Sequence, residues 1–142
     1  MGRHGYSDDL DQRQLAMWRG RVMSSIRGKR GQKMLHDLRD ALDAMPEKRL
    51  VSRTLQDTRG GVCALGCLSR SMGRDFVEYV GVEDDDMVEL NGELATLFDV
   101  AECLVQEVEF RNDEGSPYGG ETSEQRWKRM RQWVDKNISA PQ

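Results

Sequence analysis

The stretch Ser7–Met45, SDDLDQRQLAMWRGRVMSSIRGKRGQKMLHDLRDALDAM, decides the fold class. Leu15, Trp18, Val22 and Ile26 recur at intervals of 3, 4 and 4 residues, which puts them on one face of an α-helix. Ser7 offers a hydroxyl to cap that helix, and Asp8, Asp9 and Asp11 lie where its dipole favours negative charge. Gly28 and Gly31 bracket Lys29 and Arg30 in a short turn. Met34, Leu35, Leu38, Ala41, Leu42 and Met45 make the apolar face of a second helix, which Pro46 ends. The stretch reads as a helical hairpin and points to a mainly α-helical protein.

Working outward, Leu50, Val51 and Leu55 lead to a turn-like cluster of Asp57, Thr58, Gly60 and Gly61. Either a helical turn or a short two-stranded hairpin around Leu50–Val62 fits there. A short helix runs from Val62 or Cys63 to Met72, with Gly73 as its left-handed cap. After Phe76, Val77, Tyr79 and Val80 comes the acidic run Glu83–Asp86, placed where a following helix favours negative charge. Met87, Leu90, Leu94, Leu97 and Phe98 form a stripe interrupted around Gly92, and Ala101, Leu104, Val105 and Val108 continue one to about Phe110. These predict two short helices or one broken one. Arg111–Gly120 reads as a loop, and Thr122 with Gln125 three residues on matches a capping box for a last helix. Its stripe is Trp127, Met130, Val134 and Ile138; Trp133 lies off it and hints at a self-association surface. The expected architecture is a single compact domain over residues 1–142, of five or six helices, with residues 1–6 and 139–142 flexible.

The chain has 142 residues, 37% of them apolar and only 6% aromatic, so its core is aliphatic and draws on eight methionines. No apolar run reaches the ~18 residues that span a bilayer, and no signal-peptide pattern is seen, so a cytosolic location and no membrane partner are expected. Cys63, Cys67 and Cys103 are an odd set, which argues against a disulfide framework. The net charge of −4 conceals a division. Residues 1–74 carry a surplus of seven positive charges, and residues 75–114 hold 14 acids against the single base Arg111. Either the two regions neutralise each other within the fold, or one of them faces a charged macromolecule.

Six segments, Tyr6-Ser7-Asp8-Asp9, Trp18-Arg19-Gly20, Ile26–Gln32, Ala41–Leu50, Val62–Gly66 and Asn112-Asp113-Glu114-Gly115, carry a resemblance that spans about Tyr6 to Val134. In their order and content the chain resembles a group of small uncharacterised proteins of tailed bacteriophages and prophages of Gram-negative bacteria. That group has no established activity. The resemblance implies a phage setting and the host cell cytoplasm, and it supplies no site residues.

The strongest local signal is Arg27-Gly28-Lys29-Arg30-Gly31, with Arg21 and Lys33 nearby, at the start of the second helix. Helix N-terminal amides and these bases favour an anion, a phosphate or a partner's carboxylates; the alternative is a solvated or internally paired turn. A helix-turn-helix reader fits less well, because only Gln32, Lys33 and His36 would read bases and the chain is acidic. Glu83, Asp84, Asp85 and Asp86 are candidates for an acidic partner surface, with a solvated acidic face from Glu83 to Glu114 as the default. Cys63 and Cys67 share a helical face, and with Cys103 and His36 they could be imagined around zinc. Only one short pair exists, in apolar Val-Cys-Ala-Leu-Gly-Cys-Leu, so core filling is the expectation, with no metal and no cofactor. Asn112-Asp113-Glu114 reads as turn chemistry. No phosphate loop, dinucleotide fingerprint, nucleophile elbow or zinc-protease signature occurs, so no catalytic residues are assigned. The expected function is non-enzymatic: a phage accessory protein that binds and modulates or inhibits a host or phage macromolecule, as a defence or gene-expression component. The alternatives are nucleic-acid binding through the basic turn and an unrecognised hydrolase or cysteine-dependent enzyme.

Overall fold

The computed structural model of the chain describes residues 2–6, 11–80, 89–116 and 119–139. Among them are six α-helices, a 3-10 turn at Val77–Tyr79 and no strand, so the mainly α-helical expectation holds.

Helix α1 (Gln12–Arg27) is capped by Asp11, whose side chain accepts from the Gln14 amide while Gln14 returns a bond to the Asp11 backbone. This reciprocal box satisfies two end donors of the helix. The Ser7 cap and its neighbouring Asp8 and Asp9 lie outside the described residues. Val22 and Ile26 are buried as the periodicity requires, Trp18 is half-buried, and Leu15 is 49% exposed. The stripe therefore enters the core only over the C-terminal half of α1.

Helix α2 (Lys29–Ala44) follows after one residue, Gly28. The expected Gly28–Gly31 turn is shorter than the sequence suggests, because Lys29, Arg30 and Gly31 already belong to α2. Gly31 permits this sharp corner, since a Cβ there would fall 1.8 Å from the Ser25 carbonyl oxygen. Met34, Leu35, Leu38, Ala41 and Leu42 are buried, and α2 packs on α1, on α3 (Ala64–Ser71) and on α6 (Ser123–Asn137).

Between α2 and α3, the optional hairpin reduces to one antiparallel bridge, Gln56 with Val62. The Val51 amide bonds the Val62 carbonyl at 2.9 Å and the Cys63 amide bonds that of Leu55 at 3.1 Å. Buried Leu50 and Leu55 anchor this segment to the core. α3 stops at the Met72 cap, with Gly73 in the left-handed region at φ +83°. Helix α4 (Leu90–Phe98) runs through Gly92, and the break in the acidic half comes after it, at the left-handed cap Asp99. Helix α5 (Glu102–Glu114) includes Arg111–Glu114, which the sequence assigns to a loop. α5 packs against α1, α3, α4 and α6, which makes it the central strut. α6 begins with the expected capping box of Thr122 and Gln125, at 2.8 and 3.1 Å. Met130 and Val134 are its buried residues. Trp133, off the stripe, is half-buried against the core, so it is not a free surface tryptophan.

The lead is not the loose segment the sequence suggests. Arg3 is fully buried and His4 nearly so, held against α5. Residues 140–142 and Met1 lie outside the described residues.

Candidate functional site

The basic candidates sit where α1 meets α2. Arg21 and Arg27 lie on α1, Lys29, Arg30 and Lys33 on the first turns of α2, and all five are exposed. Arg30 reaches Asp99 at 3.2 Å and Lys33 reaches Asp37 at 2.6 Å, exposed pairs that solvent screens. Arg13, Arg21, Arg27 and Lys29 make no ion pair among the described residues. From Gln12 to Lys33 the chain holds seven bases and no acid. The N-cap of α2 is Gly28, with no side chain to occupy the first-turn amides.

Three shallow recesses surround this corner. Lys29 and Arg30 border one with Ser24, Ser25 and Val100. Arg30 and Lys33 border a second, floored by Met34, Leu68, Leu97 and Phe98. Arg21 and Met17 border a third, beside Ala101 and Cys103. Arg27 lines none of these. Apolar groups are interspersed with the bases: Leu15, Met17 and Met23 on α1 are 49%, 54% and 36% exposed. The acidic candidates Glu83, Asp84, Asp85 and Asp86 lie outside the described residues.

A second polar cluster is buried along α5, and the sequence reading misses it. The Arg3 guanidinium donates to both oxygens of Asp113, at 2.8 and 3.0 Å, lies 3.8 Å from Glu109, and donates to Cys63 Sγ at 3.4 Å. Asp113 also accepts from the Arg53 amide and from Asn112 Nδ2, both at 2.9 Å. Asn112, 1% exposed, accepts from the Ala64 amide at 3.0 Å and donates to the Val51 carbonyl at 2.9 Å. One turn earlier, buried Glu107 accepts from Tyr6 at 2.8 Å, from Arg19 at 2.9 and 3.0 Å and from Arg111 at 3.0 Å. His4 contacts Glu114. So the acids of residues 102–114 are not one solvated face: Glu107, Glu109 and Asp113 point inward.

Burial works to raise the Asp113 carboxyl, but the charge and hydrogen bonds of Arg3, with those of Arg53 and Asn112, more than reverse it and hold it below the usual carboxylate range. Burial opposes ionisation of Glu107 likewise, and the bonds from Arg19, Tyr6 and Arg111 win. Burial and the Glu107 charge push the Tyr6 phenol up. Asp113 and Glu107 are thus ionised acceptors that tie the lead, the Arg53 backbone and Arg19 of α1 to α5, while Asn112 ties α3 and Val51 to it. The two carboxylates have no proton to give near neutral pH. The sequence signal was Glu107 and Glu109 beside the apolar positions Val105 and Val108; periodicity alone places one apolar stripe and not the four neighbours that bury α5.

Among the described residues, no group of three or more His, Cys, Asp or Glu is placed to hold a metal ion. Cys63 and Cys67 are buried in the core, as expected, and all three cysteines are free. Cys63 has a further role, because its Sγ accepts from the Gly66 amide at 3.4 Å and so caps α3. Burial pushes the Cys67 thiol up to about 12, the neighbouring Cys63 adding to it. Cys103 lies 3.4 Å from Ser25 Oγ. Compared with known protein families, with curated proteins and with solved structures, the chain matches none.

Proposed function

We propose that this chain is a non-enzymatic accessory protein of a tailed phage that works in the host cytoplasm by docking on a host or phage protein and modulating or inhibiting it. One observation carries the reading: residues 12–33 hold seven bases and no acid, Arg13, Arg21, Arg27 and Lys29 are exposed and make no ion pair among the described residues, and Leu15, Met17 and Met23 are exposed on α1. Arginine and methionine are enriched at the centres of protein interfaces, and exposed apolar side chains interspersed with these bases suit a partner that presents carboxylates beside apolar groups. The non-enzymatic part of the reading rests on what the interior groups do. Glu107 and Asp113 are committed as ionised acceptors, Cys63 caps a helix, and Cys67 is a high-pKa buried thiol, not a thiolate nucleophile.

The test is a pulldown from a Gram-negative host with three baits: the wild type, an Arg21→Glu/Lys29→Glu variant and a Leu15→Asp/Met17→Asp variant. A partner captured at stoichiometric level by the wild type and lost with both variants is expected. Equal capture by all three, or no specific partner, defeats the reading. A second reading is nucleic-acid binding through Arg27, Lys29, Arg30 and Lys33, favoured by the same absence of acids. It requires a mobility shift of DNA or RNA at low salt, with a slope against log salt that flattens by about 0.9 per phosphate contact removed on duplex DNA.

A further inference from the structure

At the other end of α2 from that corner, an open cleft of about 570 Å3 lies between the end of α2, the loop 57–61 and α3. Met45, Pro46, Val51 and Val62 give it an apolar wall, and the guanidinium-bearing residues Arg49, Arg59 and Arg70 border it. Its volume falls in the ~300–1,000 Å3 range of small-molecule sites. Two acids share the lining, and both are engaged. Glu47 pairs with Arg49 at 2.6 Å, and Asp57 accepts the amides of Arg59 and Gly61 at 2.9 and 2.7 Å. Those bonds, with Asp57 N–H to the Gly61 carbonyl at 2.9 Å, close a tight loop with Arg59 at its tip.

The Arg59 side chain has no protein partner among the described residues, although the loop that presents it is held by its own hydrogen bonds. Arg70 donates to the Gly60 carbonyl at 3.2 Å and lies 3.7 Å from Asp75, which directs it along the same loop. Ser123, the first residue of α6, also borders the cleft, so the positive end of that helix dipole adds to the field. A loop fixed in advance spares a ligand the cost of ordering it, and guanidinium forks match phosphate oxygens two at a time.

We propose that this cleft binds a phosphorylated small molecule of mononucleotide size, its phosphate on Arg59 and Arg70 and its flat organic body against Met45, Pro46, Val51 and Val62. The site is independent of the α1–α2 surface, and its failure leaves the docking reading untouched. The probes are AMP, adenosine and inorganic phosphate, titrated calorimetrically into the full chain. AMP is expected to bind, and adenosine and phosphate each about tenfold or more weaker, since each loses one half of the contacts. Arg59→Ala is expected to weaken AMP by about tenfold while leaving the melting temperature unchanged, because the Arg59 side chain makes no hydrogen bond or ion pair among the described residues. Met45→Asp is expected to lose the adenosine contribution and keep that of phosphate. The proposal is overturned if AMP does not bind, if AMP binds no tighter than adenosine or phosphate, or if Arg59→Ala leaves its affinity unchanged.

Discussion

Arg3 is a fully buried cation, and what makes that tolerable is Asp113, which takes two of its guanidinium bonds. A buried ion pair contributes little net stability relative to a well-packed apolar pair, yet breaking it from one side leaves an uncompensated charge. Asp113→Ala is therefore expected to cost about 3–5 kcal/mol of unfolding free energy, measured by urea denaturation. Arg3→Met combined with Asp113→Leu is expected to recover part of that loss, because the two charges of the pair are then gone, while buried Glu109, 3.8 Å from Arg3, loses a neighbouring cation. A small cost for Asp113→Ala, or no recovery in the double variant, would show that the pair is not the anchor of the lead. Nothing at sequence level marks this pairing: Arg3 sits in a Gly-containing lead and Asp113 in a turn-like Asn-Asp-Glu, 110 residues apart. Two residues so distant declare a contact only through the tertiary fold, and turn propensity at Asn112-Asp113 hides the final turn of α5.

At the scale of elements, glycine separates two kinds of helix position. Gly31 and Gly92 both lie in the first turn of their helices, but a Cβ at Gly31 would meet the Ser25 carbonyl oxygen at 1.8 Å, whereas at Gly92 no described atom beyond its own helix comes within 4 Å of that point. Alanine is favoured over glycine by up to about 1 kcal/mol in a helix, the full value applying to its interior. Gly92→Ala is thus expected to raise the melting temperature, and Gly31→Ala to lower it by prising α1 from α2. Thermal denaturation of both decides the matter, and a stabilising Gly31→Ala would contradict the corner as described. The contrast also marks how far periodicity carries. The faces of α2 and α6, with the Thr122 box, are legible because each helix packs along one stripe. α1 is misread at Leu15 because a stripe states which residues share a side, not where the neighbouring helices end. The five basic candidates were legible as a charge run, while the Arg59 cleft was not, since Arg49, Arg59 and Arg70 are brought together only by the packing of the 46–62 segment against α3.

For the whole molecule, the division of charge resolves into two parts. Some of the basic half is spent internally, Arg3 on Asp113 and Arg19 on Glu107, whereas the α1–α2 corner remains turned to solvent. The internal part sets the response to pH. Asp113 and Glu107 both titrate below the ordinary carboxylate range in the folded chain, while in the unfolded chain they return to about 3.9 and 4.3. A carboxyl depressed by folding contributes stability that is complete above its unfolded value and is lost as the pH falls through its folded value, because the unfolded chain binds the proton first. Unfolding free energy is thus expected to be nearly level from about pH 7 to 5 and to fall steadily below about pH 4. Asp43, Glu78 and Glu121 are lowered as well, by their arginine partners, and Glu107→Gln keeps a side chain of the same shape and removes one of these titrations, so its acid slope is expected to be shallower than that of the wild type. Urea unfolding at a series of pH values measures both slopes. A wild-type stability that holds level to about pH 2, or a Glu107→Gln slope as steep as the wild type's, would mean that the folded state does not depend on these ionised acceptors.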